Sequence, residues 1–436
     1  MHATLLARMS RASTYRKLGG SDLVAAGKLP AAYRPLAPKW IFAAVATVLF
    51  STLLTLLSSR FGYDAEVIDM PCLFLTGILI SAGVVFVAAI PRLIAQTESA
   101  RPGETMRLMA IIVAGGLVAR LVLFASEPIL EDDYNRYLWD GAVTVSGNNP
   151  YARSPLSAME SGPHGTLGAV AAEAGDVLPR INHKSLTTIY PPIAQGAFAL
   201  AHLIEPWSLT AWRSVLLIFD LGTLALLVAL LNLTGRSPLW SALYWLNPVV
   251  LKEIFNSAHM EAIILPFVLL ALLLASRRRP LLATAALSLA AGAKFWPALL
   301  LPLVVRQLWG ERVRLAAALL IFLGLMALWL TPMLINGFNE SAGLAAYVDR
   351  WQTNSALFPT IVSVLSSLQD WIGLRIVDAG GLARALIAAI LTTTAIAIAR
   401  PQLGRSDDLI ARASLIVAAL VLLSPAQLPW YTIWMA

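Results

Sequence analysis

The chain has 436 residues, of which 32 are Lys or Arg and 25 are Asp or Glu, so that 13% carry a charge. A soluble domain carries roughly a quarter, whereas here 58% of the residues are hydrophobic and the mean hydropathy is +0.72. A soluble globular enzyme, a disordered chain and a nucleic-acid binder are excluded, and an all-α, polytopic membrane protein is expected.

The net charge of +7 gathers at the start. Residues 1–39 hold seven cations (Arg8, Arg11, Arg16, Lys17, Lys28, Arg34 and Lys39) against Asp22. A basic leader ahead of an apolar segment reads as a cytoplasmic anchor under the positive-inside rule. Its length does not suit a cleaved signal peptide. Cys72 is the single cysteine, which excludes an intrachain disulfide and a thiolate zinc cluster.

Residues 40–436 read as one transmembrane domain of about 11 to 13 spans. Trp40 to Leu57 and Cys72 to Ile90 run 18 and 19 residues without a charge, long enough for a hydrocarbon core of about 30 Å. Further apolar segments begin near Leu108, Tyr190, Ser214, Leu239, Ala262, Leu281, Leu315, Leu357, Leu382 and Leu409, with a partial one at Trp430. Those between Tyr190 and Ser276 are short, as tilted or re-entrant helices would be. Two long loops interrupt the series, at about 127–188 and 336–358. Loops of this length in a compact helical protein are usually functional or disordered, and the composition of the first is that of a folded segment. Counting from a cytoplasmic leader delivers both loops to the extracytoplasmic face. One conflict remains, because Arg277, Arg278 and Arg279 and the group Arg306, Arg312 and Arg314 flank what reads as a single span, so that both cannot be cytoplasmic.

Chemistry concentrates in the first loop. Glu131-Asp132-Asp133-Tyr134-Asn135-Arg136-Tyr137-Leu138-Trp139-Asp140-Gly141 sets three adjacent carboxylates just after the third apolar segment. On a helix Asp133 shares a face with Tyr137, and Asp132 with Arg136. A carboxylate at this boundary is partly desolvated, which raises its basicity and suits a general base acting on a hydroxyl. An acidic membrane cap that merely neutralises Arg136 would look similar. Aromatic residues favour the interface and also stack on sugar rings. Further on, Asn149-Pro150-Tyr151 marks a turn, and Asn182, His183, Thr188, Tyr190 and Gln195 gather around Pro191-Pro192 at the mouth of the next segment.

In this order the motifs resemble the GT-C superfamily of integral-membrane glycosyltransferases, in particular bacterial family-87 and polyprenol-phosphomannose-dependent mannosyltransferases. The resemblance rests on Asp132-Asp133-Tyr134-x-Arg136-Tyr137-x-x-Asp140-Gly141, Asn149-Pro150-Tyr151 and Thr188-Ile189-Tyr190-Pro191-Pro192-x-x-Gln195. Asn247-Pro248, Asn256-x-x-His259 before Glu261, Lys294-x-x-Pro297, Trp351-x-x-Asn354 and Ser424-Pro425-x-x-x-Pro429-Trp430-Tyr431 follow in order. Glu261 stands where such proteins often have Asp, and they carry a further span beyond Trp430.

The resemblance implies a hexosyltransferase, a mannosyltransferase first of all, using a polyprenyl-phosphate sugar donor. A lipid-linked or glycan acceptor would be bound at the extracytoplasmic face of the plasma membrane and would attack the donor in a single displacement, with inversion. Carried over by position, the base is Asp133, with Asp132 and Glu131 as alternatives. Arg136, Lys252, Lys294, Arg350 and His259 are the cations available to a departing phosphate. Tyr137, Trp139, Asp140, Asn182, His183, Tyr190, Gln195, Asn256, Trp351, Asn354 and Trp430 are the substrate-binding candidates. His259 with Glu261 could meet a divalent metal, but two ligands make a poor site, and neither metal nor cofactor is assigned.

Lys294 falls inside an apolar segment, where a charge is costly and faces the protein interior. It reads either as a ligand of the donor phosphate or as the partner of Asp220. Arg120, near a segment end, is expected to snorkel. A transporter or lipid flippase is the competing class, with Asp220 and Lys294 as its path. Such proteins gather polar groups near the midplane, often in paired repeats, whereas here they gather at one face and no repeat is visible.

Overall fold

The computed structural model describes residues 36–436 apart from 98–99, 337–341, 374–377, 403, 405 and 436. The leader 1–39 therefore lies almost wholly outside the described residues. Among the described residues the chain is helical, with no strand and one isolated bridge, Thr353 to Ala426.

Six helices are long and apolar enough to cross a membrane: α1 (Ala37–Ser58), α2 (Cys72–Gln96), α3 (Pro102–Leu123), Leu209–Leu233, Arg312–Ile335 and Ala379–Ala399. Pro248–Asn256 with Met260–Ser276 makes a seventh if that pair, bent by 105°, counts as one span. This is a multi-pass membrane protein. Fewer spans are long than the apolar segments numbered, because several of those segments fold as short helices: Pro192–Ile204, Pro280–Ala293 and Trp296–Leu308. Proline at the first turn starts Pro192–Ile204, Pro280–Ala293 and the short helix Pro248–Val250, where its missing N–H costs nothing.

Lys294 is the clearest departure from the sequence reading. It does not sit within a continuous span: the helix ends at Ala293, Lys294 is extended (φ −157°, ψ 139°), and a new helical turn begins at Trp296. Pro297 next to this turn has no N–H with which to continue the first helix. The two short helices run out and back, and Gln307 Nε2 donates to Ala275 O at 2.7 Å. Both arginine groups therefore lie at the same end, remote from Lys294, and the topological conflict disappears.

The opposite end collects the loops. Helix α4 (Asp133–Val145) leads the first loop and packs on Pro192–Ile204. The crossing is so close that a Cβ on Gly141 would stand 2.4 Å from Phe198 O, so glycine is required there. Trp139, Ala142 and Val143 pack with Ala158, Leu178 and Ile181 into a core of the loop's own. Asn149 Nδ2 donates to Pro332 O (2.8 Å) and Gly343 N to Thr187 Oγ1 (3.2 Å). These bonds join both long loops at one face of the bundle.

Candidate active site

The acids are delivered by a braced turn. Between α3 and α4 the chain passes through Leu130, whose φ of 57° is unusual for a side chain of this kind. Asn256 fixes the approach: its Oδ1 accepts from Ile129 N, and its Nδ2 donates to Ser126 Oγ and Glu127 O. Arg213, which is buried, donates to Phe124 O, Ser126 O and Asn256 O. Asp133 then opens α4, where a carboxylate is favoured by the helix dipole. His183 (φ 48°), Ala258 (φ 61°) and Asn354 (φ 54°) also sit in the left-handed region beside site residues. Strain of this sort persists where surrounding contacts over-determine the backbone.

Glu131, Asp132 and Asp133 line a cavity of about 270 Å³ together with Arg136, Tyr137, Asn182, Tyr190, Glu261, Lys294, Tyr347, Trp351, Trp430 and Tyr431. Asn182 Nδ2 donates to Asp132 Oδ1 (2.7 Å) and Asp133 Oδ1 (3.2 Å). Burial, reinforced by the Asp133 charge, raises the Asp132 carboxyl above its usual range, and Asn182 works against the rise. Burial raises Asp133 as well; His259 opposes this and Glu131 adds to it. These are carboxylates of enhanced basicity facing a cavity.

Lys294 lines the same cavity, with its Nζ 2.6 Å from Glu261 Oε1 and 4.2 Å from the Tyr431 ring centroid. Its side chain keeps 22% exposure, whereas Glu261 keeps 1%. Tyr347 and Tyr431 share a hydroxyl–hydroxyl bond of 2.8 Å on the same wall. Lys294 does not pair with Asp220, which is bound by Arg120 and Tyr244. Arg120, expected to snorkel, is instead fully buried against Asp220 and the Trp245 ring.

Behind the acids lies an ionic cluster on a broken helix. Residues Leu251–Asn256 form a π-helical turn, a feature frequent at functional sites. His259 Nε2 lies 3.4 Å from Glu131 Oε2 and 3.7 Å from Glu253 Oε2, and its ring stacks on Trp430 at 3.7 Å. Lys252 Nζ lies 3.8 Å from Glu131 Oε1 and 3.4 Å from Glu253 Oε1. Glu131, Glu253 and His259 are the group among the described residues that could hold a metal ion. That set differs from the His259 and Glu261 pair read from the sequence.

Several expected ligands make bracing hydrogen bonds within the chain. Arg136 lines the cavity, and its Nη2 donates to His183 O (3.2 Å) and Leu186 O (3.1 Å). Asp140 accepts from Gln195 Nε2 (3.1 Å), which also donates to Thr188 Oγ1 and Tyr190 O, so this pair pins the segment carrying Tyr190. Trp139 is in the loop's core and Asn256 holds the acidic turn, both away from the cavity. Arg350 is exposed beside Asp349 and does not line the cavity, and neither does Asn354. His183 and Trp351 pack edge to face at its rim. The sequence reading missed Tyr347, Glu253 and Arg213. Tyr347 stands four residues before Trp351, and Arg213 is a charge at the start of an apolar segment; either pattern could have drawn attention.

No curated protein and no solved structure matches the chain. The model of glycosyltransferase family 87 matches residues 188–425, more than half of the sequence. That stretch runs from the Tyr-Pro-Pro motif on the cavity wall through Glu261, Lys294 and Trp351, and with a multi-pass helical fold and carboxylates of raised basicity at one membrane face the chain belongs to glycosyltransferase family 87.

Proposed function

We propose that the protein moves a hexosyl unit, mannose in the first instance, from a polyprenyl-phosphate donor to a hydroxyl of a lipid-linked or glycan acceptor. The reaction runs at the extracytoplasmic face of the plasma membrane, with the leader on the cytoplasmic side. The observation that carries this reading is the cavity itself, whose lining brings Asp133 and Lys294 together with Tyr and Trp side chains.

Asp133 takes the proton of the acceptor hydroxyl as its oxygen bonds to the anomeric carbon. The bond from that carbon to the phosphate oxygen breaks on the opposite side, so the configuration inverts. The departing polyprenyl phosphate carries the electron pair, and the Lys294 ammonium stabilises its charge. A phosphate leaving group stabilised in this way needs no strong acid. Tyr190, Trp351 and Trp430 supply apolar surface for the sugar, and Tyr137, stacked on Phe198, backs Tyr190. The reading gives no step to a metal or cofactor.

The test is a transfer assay. Purified protein in nanodiscs receives radiolabelled polyprenyl-phosphate mannose and a membrane-lipid extract, with glucose and arabinose donors in parallel. Wild type is expected to form a labelled product. Asp133→Asn is expected to lose about 100- to 10,000-fold in rate, the span of a general base, with donor binding retained. Turnover by Asp133→Asn at the wild-type rate would move the role to Asp132 or Glu131.

A further inference from the structure

A second cavity, of about 400 Å³, lies on the other side of the acidic turn. It shares Glu131 and Asp132 with the first, so those two carboxylates form the edge at which the cavities meet. Its far wall comes from the loop between α1 and α2, through Phe61, Gly62, Tyr63 and Met70. That loop precedes the stretch matched by the family, residues 188–425. Arg180 ties the walls together: it lies 3.1 Å from Asp64 and 3.5 Å from Asp176, with its guanidinium 5.1 Å above the Tyr63 ring.

The chemistry of this cavity differs from that of the first. Glu127, Glu131 and Asp132 line it, with the Glu131 oxygens turned to Lys252 and His259, and Arg180, its cation among the described lining residues, is already held by two aspartates. A phosphate is repelled there, which leaves the anionic donor to the Lys294 side. Carboxylates that accept hydrogen bonds, with Tyr63 and Tyr134 offering ring faces, suit the hydroxyls and C–H face of a neutral sugar. The volume is within the usual range for a small-ligand site, about 300–1,000 Å³. Two substrates of one displacement must reach the reacting carbon from opposite sides, and two cavities meeting at a carboxylate edge provide those approaches.

We infer that the second cavity is the acceptor subsite, that it takes a neutral glycosyl unit, and that the α1–α2 loop sets acceptor specificity in this chain. The inference rests on the transfer reading above. A glycolipid headgroup and a soluble glycan share this chemistry.

The experiment is steady-state kinetics with polyprenyl-phosphate mannose as donor and two acceptor probes, soluble mannobiose and vesicles containing a neutral diglycosyl diacylglycerol. Acceptor-independent hydrolysis of the donor is measured alongside. Tyr63→Ala and Glu127→Gln are expected to raise the acceptor KM at least about fivefold, a loss of roughly 1 kcal/mol, and to leave donor KM and donor hydrolysis unchanged. Tyr63→Phe, which keeps the ring, retains the wild-type acceptor KM. Use of mannobiose identifies a glycan acceptor, and use of the vesicle lipid alone identifies a glycolipid; with either probe the raised acceptor KM of the two variants supports the subsite. Unchanged acceptor KM in Tyr63→Ala and Glu127→Gln, or a rise in donor KM instead, overturns it. Donor hydrolysis with neither neutral probe accepted overturns the neutral-sugar assignment. Absence of both hydrolysis and transfer in the wild type would count against the transferase reading itself.

Discussion

Arg120–Asp220 and Lys294–Glu261 are both ion pairs made by residues of apolar segments, each with two aromatic rings beside its cation and one buried polar atom without a hydrogen bond, yet they differ in exposure and in the number of bonds the cation makes. Arg120 and Asp220 have no exposed side-chain surface. Arg120 also donates to Gly116 O and Trp245 O and lies 3.5 Å from the Trp245 ring centroid, while Tyr244 donates to Asp220. Lys294 has one partner, two aromatic rings and a face open to the cavity, and Glu261 Oε2 is buried without a hydrogen bond. A charge whose bonding capacity is largely used by its own protein holds helices together. A charge left partly unused beside a cavity can serve a ligand. The transporter reading needed Asp220 and Lys294 to share a path, and the structure separates them.

This contrast can be broken by substitution. The largest expected effect is on folding: Arg120→Met leaves Asp220 buried without its cation and costs about 3–5 kcal/mol. Thermal unfolding in detergent measures it, and the fraction that folds should retain the wild-type kcat. Lys294→Met should act on both stability and rate. It also leaves a buried carboxylate, Glu261, without its cation and lowers the melting temperature, but in the fraction that folds it lowers kcat about 100- to 1,000-fold, as the loss of one preorganised electrostatic group does. A Lys294→Met protein with unimpaired turnover would make that pair structural as well.

Asn182→Ala sharpens the reading of the carboxylates. Asn182 stabilises the charged forms of Asp132 and Asp133, so without it both hold their protons to higher pH. A base works only when deprotonated, so the acid limb of the kcat/KM profile should move to higher pH. A shift to lower pH, or none, would show that neither aspartate limits the reaction. The smallest effect is expected from chelation. Lys252 already places an ammonium 3.8 Å from Glu131 and 3.4 Å from Glu253, so EDTA should leave the rate unchanged. Loss of activity on chelation, restored by Mn²⁺, would instead make Glu131, Glu253 and His259 metal ligands.

Much of the cavity was legible in the chain. Asp132, Asp133, Tyr137, Asn182, Tyr190, Lys294, Trp351 and Trp430 stand out because polar and aromatic groups interrupt apolar segments at one boundary, and all of them line it. Arg350, named as an available cation, does not line it, because a charge in sequence says nothing about the direction of its side chain. Asp140, Gln195 and Asn256 were read as ligands because a buried polar residue looks the same in sequence whether it meets substrate or backbone. Their hydrogen bonds show that they hold the loops.

Composition alone determined that this is a helical membrane protein, since 58% hydrophobic residues with 13% charge cannot stay folded in water as a soluble domain does. Local pattern determined where the acids and aromatics gather, because a boundary between apolar and polar stretches is a property of the chain itself. Which charge pairs with which was decided by tertiary structure. Residues 120 and 220, or 261 and 294, meet only after helices break, bend and return. The same holds for the two cavities that share an acidic edge, because their walls come from segments more than a hundred residues apart.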